Sequence, residues 1–99
     1  MPELSQDQKD KLDAAAFRRL LKHLDDNKQV QNIDLMILAN FCRNCLSKWY
    51  KAEADEAGLD VSMEAARERV YGMPYSEWKA NHQPEATPEQ VAVFNARNK

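Results

Sequence analysis

Glycine is nearly missing from this chain: two in 99 residues, Gly58 and Gly72, beside only four prolines. A fold built of strands needs a tight turn at each reversal, and glycine supplies the positive φ that such turns use. A sheet-and-turn architecture is therefore hard to build. Cysteine is equally scarce, with Cys42 and Cys45 the two present. An iron–sulfur cluster ordinarily takes four cysteines, so one is nearly excluded within a single chain. No apolar run approaches the roughly 20 residues of a membrane span. The opening MPELSQDQKDKLD is polar and acidic, where a secretion signal is basic and then apolar. A cytoplasmic protein without a membrane role is expected.

A basic surplus is also lacking, since 14 Lys and Arg face 16 Asp and Glu for a net charge of −2. Binding to nucleic acid rests largely on phosphate neutralisation, so nucleic acid is not an expected partner. Arg18, Arg19 and Lys22, with Arg43, Lys48 and Lys51, are interleaved with Asp13, Asp25, Asp26, Glu53, Asp55 and Glu56, which reads as a solvated mixed face. The chain has no glycine-rich phosphate loop, no serine–histidine–acid order and no paired-carboxylate motif. Enzymatic activity is not expected, and no motif requires a cofactor.

What remains is a helical composition, 43% hydrophobic and 30% charged, rich in alanine, leucine, lysine, glutamate and glutamine. The spacing predicts a single all-α domain over residues 1–99, with four to five helices around a long second helix. Ser5 with Gln8 has the form of a capping box for the first helix. Leu12, Ala16, Leu20 and Leu24 fall on one face of it, widened by Phe17 and Leu21. The second helix is expected from Asn32 or Asp34 to Gly58, with Leu35, Leu38, Ala39, Cys42, Cys45, Leu46 and Trp49 inward. Arg43, Asn44, Ser47 and Lys48 then face outward. Ile33, Ile37 and Phe41 make a second apolar stripe, and a helix apolar on two sides needs two partners; a second copy of the chain, giving a homodimer, is the expectation. Ser62 caps a third helix ending at Gly72, a fourth follows Pro74 and bears Trp78, and Thr87–Pro88–Glu89–Gln90 starts the last.

Cys42-x-x-Cys45 is the most distinctive local chemistry. The spacing serves structural zinc or thiol–disulfide exchange. Zinc needs four ligands; His82 is the candidate third, with His23 or a carboxylate beyond it. Placed in the middle of a helix, neither thiol gains acidity from a helix start, and both sit on the buried face. Core packing is the favoured reading, with zinc or redox use as the alternative. Five aromatic residues, Trp49, Tyr50, Tyr71, Tyr75 and Trp78, suggest packing of the short helices, with Tyr50 and Tyr75 as candidate partner contacts beside Arg43, Asn44, Ser47 and Lys48.

Three strings, QNIDLM from Gln31, FCRNCLSKWY from Phe41 and GMPYSEWK from Gly72, make the chain resemble a small bacterial family known only as a domain of unknown function. The resemblance implies a cytoplasmic, multi-helical protein and brings no assigned activity. The expected function is thus a non-enzymatic interaction or regulatory protein that self-associates.

Overall fold

The computed structural model describes residues 3–97. Among the described residues there are six helices: α1 (Gln6–Asp26), α2 (Asn32–Ala39), α3 (Arg43–Glu56), α4 (Met63–Tyr71), α5 (Tyr75–His82) and α6 (Pro88–Arg97). There is no strand among the described residues.

Most helix boundaries follow local chemistry. The Ser5 hydroxyl accepts from the Gln8 amide (3.1 Å), and the Gln8 side chain accepts from the Ser5 amide (2.9 Å). Thr87 and Gln90 repeat this exchange at the start of α6, and the Ser62 hydroxyl caps α4. Gly58 and Gly72 follow the ends of α3 and α4 with φ of 73° and 75°, the left-handed conformation in which a side chain is strained.

The expected long second helix is not formed. It divides at Asn40, which adopts φ 59° and ψ 29° and closes α2 with its amide on the Met36 carbonyl. Asparagine enters this left-handed region more readily than other residues that carry a side chain. Cys42 is then extended, at φ −152°, and caps a new helix. The break changes which residues face inward. Leu38 and Trp49, expected in the core, are 83% and 55% exposed, while Arg43 and Ser47, expected outside, are 2% and 0% exposed.

The core gathers Leu21 and Leu24 of α1, Leu35 of α2, Cys42 and Leu46 at the start of α3, and Val70 of α4, with Phe17, Val30, Met36, Phe41 and Cys45 packed around them. α3 and α4 form the most extensive helix pair, and buried Ala54 and Ala66 keep bulk small there. α6 lies against α2, and Gln90 Nε2 donates to Asp34 Oδ1 at 2.8 Å. The half-buried Ile33 and Ile37 therefore sit on a helix that already has a partner within the chain. Val91 and Val93 of α6 are exposed.

The molecule is elongated, 50 × 33 × 28 Å with a radius of gyration of 15.9 Å, against about 13 Å for a compact chain of this length. α1 accounts for this. At 21 residues it is about 31 Å long, yet only its last turns join the core. Leu12, expected in the core, is 56% exposed, and Leu20 is 36% exposed.

Arg43 ties these pieces together. Its Nη1 donates to the Val30 carbonyl (2.7 Å) and to Asn32 Oδ1 (3.2 Å), and its Nη2 to the carbonyls of Leu24 (3.2 Å) and Asn27 (3.1 Å). The guanidinium lies 5.1 Å from the Trp78 ring centroid. Three of the four acceptors are backbone carbonyls, and those of Leu24 and Asn27 lie at the end of α1, where the helix dipole is negative. Arg43→Met is expected to lower stability by at least about 3 kcal/mol, because charged hydrogen bonds are lost and buried acceptors are stranded. Arg43→Lys, which lacks the planar fork, should recover only part of this in urea denaturation. At the helix break, Asn40→Val is expected to cost about 1–2 kcal/mol more than Asn40→Gly in the same assay.

Candidate functional site

The break at Asn40 places the cysteine pair at a helix start. Cys42 is the residue before the first turn of α3, and Cys45 is the third residue within it. Their sulfurs are 3.5 Å apart, and Cys45 Sγ is 3.9 Å from Met36 Sδ. The expectation of two thiols in the middle of a helix is thus corrected, with a physical reason in the left-handed Asn40. Burial pushes the Cys42 thiol up, while the α3 amides of Cys45 and Asn44 pull it the other way. Both cysteines are free, Cys42 buried and Cys45 partly so.

Cys42 also lines a cleft of about 870 Å³, with Asn32, Asn44, Arg67, Tyr75 and Lys79 around it. Arg67 is 5.4 Å from the Tyr75 ring centroid, with its Nε 3.4 Å from Asn44 Oδ1. The wall therefore combines two cations with a tyrosine and two asparagines. Gln31 and Gln83 line it too, each with a buried Oε1 that lacks a protein hydrogen-bond donor.

Of the sequence-derived candidates, Asn44 and Tyr75 meet at this cleft beside Cys42. Lys48 and Tyr50 are exposed on α3. Arg43 and Ser47 are inside, the Ser47 hydroxyl donating to the Arg43 carbonyl at 3.0 Å. His82 lines a second depression with Lys28, Gln29 and Ala80, and its ring lies tilted against that of Trp78, with centroids 6.1 Å apart. Among the described residues, no three His, Cys, Asp or Glu side chains gather as a metal-ligand group. The zinc set of Cys42, Cys45 and His82 is therefore not assembled.

The aromatic group separates. Tyr71 lies 5.2 Å from Tyr75 and 5.0 Å from Trp78, whereas Trp49 and Tyr50 are exposed. Asn32 is the residue that sequence reasoning undervalued. Its Oδ1 accepts from the Arg43 amide and guanidinium, and its Nδ2 donates to the Tyr71 hydroxyl at 3.0 Å. A place at the start of a helix suggested a cap; nothing in the local pattern points to so distant a tyrosine.

Burial pushes the Tyr71 hydroxyl up to about 12 from 10.0. The folded state thus holds this proton more tightly than the unfolded chain. The contribution is full below pH 10 and is lost as pH rises toward 12. Between those limits the wild type should lose on the order of 2 kcal/mol relative to Tyr71→Phe, measured as the difference between their stability–pH curves.

No helix among the described residues is long and apolar enough to cross a membrane. No protein of curated description matches the chain. The pattern that defines the family described as "Protein of unknown function (DUF1244)" matches residues 30–96, a span that contains all three distinctive strings, the cysteine pair and the cleft. The chain belongs to the DUF1244 family.

Proposed function

We propose that this is a cytoplasmic, non-enzymatic interaction protein that pairs with a second copy of itself through α1. The observation that carries this reading is the apolar row along the projecting part of that helix. Leu12 and Leu20 are both exposed, with exposed Ala16 midway between them. A row at four-residue spacing is one stripe on a helix surface. It is symmetric about Ala16, so an antiparallel copy would lay Leu12 against its partner's Leu20, with the small Ala16 at the crossing. Such a surface is self-complementary, as a two-fold interface must be.

Charge along α1 supports the same arrangement. The first half carries Asp7, Asp10 and Asp13 against Lys9 and Lys11, for a charge of −1, whereas the second carries Arg18, Arg19 and Lys22 against Asp25 and Asp26, for a charge of +1. Antiparallel pairing sets the more acidic half beside the basic one, whereas parallel pairing opposes like halves. The stripe at Ile33, Ile37 and Phe41 supports self-association less well, because these side chains are half-buried and Phe41 packs on the core.

Sedimentation velocity on the full chain is expected to give a species of twice the 11.4 kDa chain mass. A Leu12→Glu, Leu20→Glu variant should sediment as a monomer with its unfolding midpoint nearly unchanged, since both positions lie outside the core. A wild type that stays monomeric at several hundred micromolar, or a variant that still dimerises, rejects the proposal.

A further inference from the structure

We propose that Cys42, Cys45 and Met36 form a three-sulfur site for a soft monovalent d10 cation, Cu(I). The three side chains come from both sides of the break at Asn40: Met36 from the last turn of α2, Cys42 from the residue that caps α3, and Cys45 from its first turn. The sulfur separations are 3.5 Å for Cys42–Cys45 and 3.9 Å for Cys45–Met36. With metal–sulfur bonds of about 2.3 Å, a trigonal set spaces its sulfurs about 4.0 Å apart, so both of these separations stand within about half an ångström of that spacing.

The donor set selects the ion. A thioether with two thiolates is a soft combination that suits Cu(I). Zinc is held by four ligands drawn from cysteine, histidine and carboxylate, and methionine is not among them. Calcium and magnesium take oxygen. The surroundings suit the charge as well. Two thiols lose their protons to the solvent as the ion binds, leaving a complex of net charge −1 at the positive end of α3. The Arg43 guanidinium is near enough for Cys42 to act on it electrostatically. Leu35, Leu46 and Phe41 belong to the same apolar cluster as the sulfurs and would shield a bound ion from water. Cys42 reaches the cleft and gives the ion a route in.

The test is anaerobic titration of the reduced full chain with Cu(I), using a chromogenic Cu(I) chelator as competitor. The expected result is one Cu(I) withdrawn from the chelator per chain, with X-ray absorption reporting three sulfur neighbours. Met36→Leu keeps the side-chain volume and removes the thioether; it should fold, weaken the affinity at least about tenfold and show two sulfurs. Cys45→Ala should lose the ion to the chelator altogether. The proposal is overturned if the wild type takes no Cu(I), if nitrogen or oxygen completes the coordination, or if Met36→Leu binds as tightly as the wild type.

Discussion

The fold depends on one buried cation. A guanidinium withdrawn from water is tolerated only where acceptors replace its hydration, and Arg43 finds them in the end of α1, the connector to α2 and the side chain of Asn32. None of the ion pairs among the described residues includes it; those ion pairs lie toward the surface, where each contributes little. The charge is instead met by carbonyl dipoles and the face of Trp78. Such an arrangement is geometrically demanding, because a planar fork satisfies four acceptors only when three chain segments converge at set angles. Nonpolar packing alone would hold them together less specifically. The hydrogen bonds fix where α1 ends relative to α3, and the core leucines fill the space that results.

This cation also explains why the break at Asn40 matters. A continuous helix through residue 43 would turn Arg43 outward with Asn44 and Lys48. The left-handed residue resets the phase of the chain, so that the first residue of α3 points toward α1. The same reset brings Cys42 and Cys45 to a helix start and leaves Met36 beside them. One residue's backbone conformation thus decides both the packing of the core and the grouping of the sulfurs.

Much of this was legible in the sequence wherever the information is local. Ser5 with Gln8, Ser62, Thr87 with Gln90, Gly58 and Gly72 marked helix ends because capping and left-handed closure involve residues within a few positions of each other. The all-helical class followed from composition, and the family from three strings. The division of the second helix was missed. Asparagine is a recognised, less frequent closer of helices, but the apolar period runs across Asn40 without a fault, and a phase change leaves no gap in such a pattern. The burial of Arg43 was illegible for a related reason. Its acceptors are mainly backbone carbonyls, and every residue has one, so sequence carries no mark of which will be used. The contact of Asn32 with Tyr71 spans 39 positions and belongs to the tertiary fold alone.

The position of Arg43's acceptors bears on where an independent unit of this protein begins. The family segment starts at residue 30, which invites the view that residues 30–96 form a self-sufficient module with α1 as an appendage. The carbonyls of Leu24 and Asn27 lie outside that segment, as do the core side chains Leu21 and Leu24. A fragment cut at residue 30 would keep the cation and lose half of the groups that make its burial tolerable. The last turns of α1 are therefore part of the structural unit, whatever its projecting first half is used for.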